Sequence, residues 1–542
     1  MRVAEVVGRA LVASGVDHVF GVVGSGNFHA TNAMVDAGAR FVAARHEGGA
    51  ATMADAYART AGVPAALSVH QGCGLTNAMT GIAEAAKSRT PLVVLAPEAV
   101  TLTSNFHVDQ DALARAVGAV PVRIGDPTTA ARDTAAAVAL ARDERRTVVL
   151  NLPLVVQDAE VGDQPLPPPT VPPPGRAVAE RDLDRLAAAV RAARRPVFVA
   201  GRGARSPGAR DALVALADQC GALLATSAVA KGLFQGRPWS LDVSGGFSSP
   251  LAAELISGAD LIVGWGCALN MWTMRHGRLI ADGATVVQVD DTPEALGVHR
   301  DLTFGVVGDV TATAHGVSRR LGGGTRDGYR SAELQERLTT ELRWRDVSFA
   351  DASDGERIDP RTLTIALDDL LPAERVVAVD SGNFMGYPSM FLDVPDEQGF
   401  CFTQAFQSIG LGLATAVGAA LARPDRLPVA ALGDGGALMG AAELDTVRRL
   451  GLPMVVVVYN DDAYGAEVHH FVREGHATVT FPPTDIAAVG AGYGFAAVTV
   501  RSPSDLGAVR DWLDGSRDRP LLIDAKVVAD EPSWWLAEAF GH

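Results

Sequence analysis

The sequence is poor in cysteine: its 542 residues contain four (Cys73, Cys220, Cys267, Cys401), scattered with no paired spacing. That excludes a zinc knuckle and argues against a disulfide framework. It also lacks a surplus of positive charge. Lys and Arg number 47 against 63 Asp and Glu, a net charge of −16, so nothing in the balance attracts nucleic acid or an anionic membrane surface. No stretch of 18 apolar residues runs without a charge or a turn signal, and no membrane span is expected. The first residues, MRVAEVVGRALVASGVDHVFG, show no basic segment followed by a continuous apolar core. They read as an amphipathic helix running into a strand rather than as a signal peptide, and the expectation is a soluble, cytoplasmic protein.

What is present is apolar and alternating. With 48% hydrophobic and 20% charged residues the chain can bury several cores, and its length corresponds to three or four domains. Short β-branched runs alternate with Ala-rich helical patterns: HVFGVVG, AALSVH, PLVVLAP, TVVLNLP, PVFVAG, DLIVGWG, TVVQVDD, RVVAVDSG, VAALGDGG, PMVVVVYND and PLLIDAKVV. Continuous apolar strands between helices predict doubly wound parallel sheets covered on both faces, an α/β fold. Seven prolines between Pro165 and Pro174 mark a semi-rigid linker, and LGGGTRDG near 321–328 marks a second break before a charged helical stretch. The expected division is a first domain over 1–162, a linker over 163–178, a central domain over 179–325, a linker helix over 326–358 and a last domain over 359–542.

The segment richest in chemistry is Gly433-Asp434-Gly435-Gly436, followed by a helical stretch and the strand VVVVYNDD. Asp434 closes one apolar strand and Asp461 the next, 27 residues later. In a parallel sheet both emerge on one edge, the edge where open α/β sheets bind ligands. Two acidic groups beside glycines suit a hard cation holding a diphosphate, and a helix beginning near Ala437 would turn its N–H groups the same way. A tight turn with Asp434 as helix cap is the plainer reading of the motif alone.

This segment resembles the signature of thiamine-diphosphate enzymes, and the resemblance extends over nearly the whole chain to their acetolactate synthase and benzoylformate decarboxylase branch. FGVVGSGN, RHEGGAATMADAYAR and VHQGCGLTNAMTGIAEAAKSRTPLVVLAP are similar in order and spacing to the family's pyrimidine-binding domain. DLIVGWGCALNMWTMRHGRLI and TVVQVDDTPEALGVHRDLTFGVVGD are similar to its central domain. The resemblance implies three domains, thiamine diphosphate and Mg²⁺ as cofactors, and a homodimer or homotetramer.

Carried over by position, it implies magnesium ligands at Asp434, Asp461 and the carbonyl of Ala463. The chain has Asn460-Asp461 where the family has an Asn pair, and a register with Asn460 as ligand stays open. Glu47 matches the carboxyl that activates the cofactor through its aminopyrimidine ring, although a helix-capping role would fit it equally. Ile409 falls at the apolar wedge beneath the cofactor; read without the family, it is a core residue of a Gly/Ala-rich helix. Asn383 falls beside the diphosphate, or is a turn residue.

Ser25 and His70 resemble substrate-contacting residues of benzoylformate decarboxylase, where a histidine can protonate the carbon left after carbon dioxide departs. Gln110 and His276 match more loosely. In acetolactate synthases the central domain holds FAD, but GCALNMWTMRHG replaces the usual stretch here, so FAD is doubtful. The expected activity is decarboxylation of a 2-oxo acid, with release of an aldehyde or ligation to a second carbonyl compound. The alternatives are an acetolactate-synthase-like carboligase, a flavin-dependent oxidase of the same fold, and a non-catalytic cofactor-binding homologue.

Overall fold

The computed structural model describes residues 1–162, 164–166, 175–529 and 532–539. The expected proline-rich linker lies for the most part outside them. The apolar runs condense into three six-stranded sheets, every ladder parallel. Burial on both faces is what makes the strands read as continuous hydrophobic runs: Leu92–Glu98, Thr147–Pro153 and Val455–Asn460 are buried at every residue.

The first sheet runs, in spatial order, Arg40–Ala43, His18–Gly21, Ala65–Ser68, Leu92–Glu98, Thr147–Pro153, Val120–Arg123. The third runs Phe400–Phe402, Arg375–Val379, Leu427–Gly433, Val455–Asn460, Leu521–Lys526, Ala496–Val500. Numbered within each sheet, both follow the order 2-1-3-4-6-5, so each strand of the first sheet has a topological counterpart in the last. The central sheet differs: Phe304–Val307, Thr285–Asp290, Leu261–Trp265, Pro196–Ala200, Leu223–Thr226, Ser240–Val243, the order 6-5-4-1-2-3.

The first and last domains are joined by counterpart helices. Glu47–Ala61 and Gly412–Ala422 pack so closely that a Cβ at Gly418 would stand 2.2 Å from the carbonyl oxygen of Met53. Their alanines and glycines permit that approach, and one apolar cluster (Ala50, Met53, Ala54, Leu413, Val417, Leu432) runs through both domains. Between Glu47–Ala61 and the neighbouring domains lies a buried polar junction. Arg59 pairs with Asp55 and Glu84 and donates to the carbonyl of Phe402, while Arg202 of the central domain donates to the carbonyl of Ser88. Among the described residues no helix is long and apolar enough to cross a membrane.

Candidate functional site

The carboxyl ends of the strands in the first and third sheets each gather chemistry-bearing residues. In the third sheet Gly433 pairs with Tyr459, so Leu427–Gly433 and Val455–Asn460 end at one level and release Asp434 and Asp461 side by side. The helix starts at Asp434 itself, not near Ala437, and spans only Asp434–Met439. Burial, first, and then the charge of Asp462 push Asp434 up to about 6; burial and then the charge of Asp434 push Asp461 up to about 8. Two desolvated carboxylates forced together are a donor set that a hard divalent cation satisfies and a proton only half satisfies.

The surrounding backbone leaves no room for side chains. A Cβ at Gly435 would meet the Tyr464 ring at 2.4 Å, and one at Gly465 would meet Asp461 Oδ2 at 2.4 Å. Ala463 follows two residues after Asp461 and bridges to Thr480. Asn383 stands beside Gly465 in the Asn383–Met385 turn. Its Oδ1 accepts the Ser533 N–H at 3.0 Å, and its carbonyl accepts Ser533 Oγ and Trp535 Nε1, each at 2.8 Å. The C-terminal helix Trp534–Ala539 is thereby tied to the turn it follows in space, with Trp535 buried against Gly386.

Ile409 departs from the plainer reading of it as a helix-core residue. It sits half-buried in the turn before Gly412–Ala422, not in the helix core. Asp380 fixes that turn: its fully buried carboxylate accepts the N–H groups of Gly410 (2.9 Å) and Leu411 (3.3 Å), and its Oδ2 fills the space where Gly436 would carry a Cβ. Burial pushes Asp380 up to about 6 against those backbone donors. Asn460 faces the other way, as the alternation of a strand requires. It is fully buried, its Nδ2 donating to Asp524 and its Oδ1 accepting the Asp462 N–H, which leaves Asp461 as the carboxylate at the edge.

In the first sheet the counterpart edge holds Ser25, His70 and Glu47. Ser25 Oγ lies 3.4 Å from His70 Nε2, and His70 Nδ1 lies 3.1 Å from the carbonyl oxygen of Gln71. A carbonyl only accepts, so Nδ1 donates to it and Nε2 faces Ser25. Phe106 packs edge-on against the ring. Gly74 joins this pair to Glu47: a Cβ there would lie 3.2 Å from His70 Cβ and 3.3 Å from Glu47 Oε1. Glu47, 9% exposed at the head of its helix, accepts from Asn77 Nδ2 at 3.0 Å. Gln71 is buried with its Oε1 unpartnered against Gly26.

Of the two looser expectations, one borders the first cluster and the other lies in the central domain. Gln110 is buried at the head of the helix Gln110–Ala116, its Nε2 donating to Asn151 Oδ1 and its Oε1 accepting the Gly72 N–H. His276 lies in the central domain against Trp272. Sequence reasoning missed Asn77, Gln71, Phe106 and Asp380, each of which acts across a turn that only folding brings together. A cavity of about 280 Å³ adjoins the last domain between Trp344, Phe349, Tyr387, Phe391 and Trp534, and holds none of the residues expected from sequence. In the central sheet, the chain leaving Pro196–Ala200 bonds to the end of Leu261–Trp265 and the turn after it, Gly201 N to Trp265 O at 2.9 Å and Gly203 N to Gly266 O at 3.0 Å.

Comparison with known proteins finds matches to one family along the chain. Residues 1–116 match the family described as thiamine pyrophosphate enzyme, N-terminal TPP binding domain; 183–317 match its central domain and 380–525 its C-terminal TPP binding domain. A probable 2-ketoarginine decarboxylase of Pseudomonas aeruginosa is 30% identical over 92% of this chain and 89% of its own length. A sulfoacetaldehyde acetyltransferase of Castellaniella defragrans is 29% identical over 86% and 82%, and a probable acetolactate synthase large subunit of Methanocaldococcus jannaschii 25% over 93% and 88%.

Proposed function

Because the chain belongs to the thiamine pyrophosphate enzyme family, we propose that it is a magnesium-dependent enzyme that decarboxylates a 2-oxo acid and releases an aldehyde. The observation that carries the decarboxylase reading is the Ser25–His70 pair beside Glu47.

The residues fit the cofactor. Asp434, Asp461 and the carbonyl of Ala463 would hold Mg²⁺, and the glycines at 433, 435 and 436 with Asn383 would admit the diphosphate beside it. When bound, thiamine diphosphate supplies a nucleophilic carbon and an electron sink for the charge left as carbon dioxide departs. Glu47, buried and neighboured by Asn77, would hold the proton against the aminopyrimidine ring. Ile409, on the turn that Asp380 fixes, would support the cofactor from below. Loss of carbon dioxide leaves the substrate carbon one proton short of an aldehyde. His70 Nε2 would move that proton, with Nδ1 anchored on Gln71 and Ser25 Oγ beside it.

A second reading is acyl transfer to an acceptor carbonyl. It is supported by the relatives named sulfoacetaldehyde acetyltransferase and acetolactate synthase. We also propose that two chains complete each other's sites. No hydrogen bond or ion pair among the described residues joins the Glu47 cluster to the Asp434 cluster, yet both must meet one small cofactor.

The test is to incubate the enzyme, thiamine diphosphate and Mg²⁺ with a panel of 2-oxo acids, with and without an added aldehyde, and to identify products by mass. Aldehyde from a 2-oxo acid alone supports the decarboxylase; product only with acceptor present supports transfer.

A further inference from the structure

Glu443 belongs to the last domain, nine residues beyond Asp434, yet its carboxylate serves the first. It is 3% exposed, and its Oε1 accepts the backbone N–H groups of Arg45 and His46, each at 3.0 Å. Its other oxygen accepts Thr446 Oγ1 at 2.6 Å. Gly49 is cut to fit it, since a Cβ there would stand 2.4 Å from Oε1. The two amides so held are those immediately ahead of Glu47, and His46 in turn caps the Glu47 helix by accepting the Gly48 N–H on Nδ1. A buried anion on two peptide donors is a charge-assisted, directional clamp, and removing it leaves both donors unpaired away from water.

A second tie lies beside the first but differs in kind. Asp445 pairs with the Arg45 side chain at 2.6 Å and with Arg448 and Arg449 of its own helix, at the surface. It joins the same two domains without touching the backbone ahead of Glu47. Domain adhesion is therefore already supplied at this seam, and what Glu443 adds is the fixed course of the chain entering Glu47.

We propose that Glu443 is the positioning residue for Glu47, so that the diphosphate-binding domain of each chain sets the aim of that chain's own activating carboxyl. The inference rests on the reading of Glu47 given above. The short helix Asp434–Met439 and the turn Ala441–Glu443 run in sequence from the carboxylate pair to this clamp.

The experiment compares Glu443→Gln with Asp445→Asn in the full-length protein, using Glu443→Asp as the conservative variant. Amide exchange of the cofactor-free protein is followed by mass spectrometry over the peptide 44–48, and kcat, KM and thermal midpoint are measured alongside. Glu443→Gln is expected to speed exchange in that peptide and to lower kcat roughly tenfold or more at unchanged KM, with Glu443→Asp in between. Asp445→Asn is expected to lower the thermal midpoint without either effect. Normal exchange in Glu443→Gln, or a kcat loss that follows the thermal midpoint equally in both variants, would overturn the proposal. Glu47→Gln separates the two readings: if it keeps full activity, the role of Glu47 is wrong, whereas if it is inactive while Glu443→Gln turns over normally, the positioning role alone is wrong.

Discussion

The Ser25 hydroxyl faces the His70 imidazole at 3.4 Å, Oγ to Nε2, from the ends of the paired neighbouring strands His18–Gly21 and Ala65–Ser68. The separation is long for a hydrogen bond. The glycines on either side of Ser25 keep it there. A Cβ at Gly24 would strike the His70 ring at 2.0 Å and one at Gly26 the Gln71 carboxamide at 1.7 Å.

That pair predicts how products divide. General acid help of this kind is worth roughly 10²–10⁴-fold in rate. His70→Ala should therefore lose aldehyde formation and raise the ratio of ligation product to aldehyde when an acceptor is added. Both products are measured at saturating oxo acid. An equal loss of both would reduce His70 to a residue that only shapes the pocket.

Glu47→Gln should leave the far-ultraviolet circular dichroism spectrum unchanged and lower turnover by two orders of magnitude or more, about the range for loss of a proton-transferring group. The isosteric amide keeps the contact with Asn77 but cannot exchange a proton at neutral pH. Turnover near the wild-type rate would remove Glu47 from the mechanism.

Metal and pH should act on one another at Asp434 and Asp461. Both carboxyls are raised from 3.8, to about 6 and about 8, so the metal-free fold binds protons that the unfolded chain has released. Stability contributed there is present at low pH and is lost as pH rises through that window. In chelator the thermal midpoint should fall between about pH 5 and 8 from this pair, and Mg²⁺ should offset the fall by taking the place of the proton. Calorimetry should show thiamine diphosphate binding abolished by chelator or by Asp434→Ala. Binding that persists in metal-free buffer would mean the pair has another task.

Two inactive variants should rescue each other if chains share sites. Glu47→Gln mixed with Asp434→Ala allows one intact site per mixed dimer, so partial activity should return once subunits exchange. A fully active monomer in sedimentation would exclude the shared site.

The sequence by itself determined the buried half of this fold. Runs such as Val455–Val458 and Leu521–Ile523 are apolar without interruption because both faces of a parallel sheet are covered, and that pattern survives in one dimension. The glycine-rich GDGG turn and the strand-end acids were legible for a related reason: backbone approach and charge at a strand end are properties of residue type and spacing. Edge strands were not. Arg40–Ala43, Val120–Arg123 and Ala496–Val500 are half-exposed and carry mixed residues, so they read as loops until a neighbour supplies the ladder. That Asn460 is held inward likewise depends on Asp524, a partner 64 residues away. Ile409 left the helix that its sequence suggests because Asp380 takes the Gly410 and Leu411 amides into a turn. The clamp of Glu443 on Arg45 and His46 spans nearly 400 residues and is made of backbone donors, which every residue but proline carries; no sequence pattern marks it, and only the packing of Glu47–Ala61 against the last domain decides it.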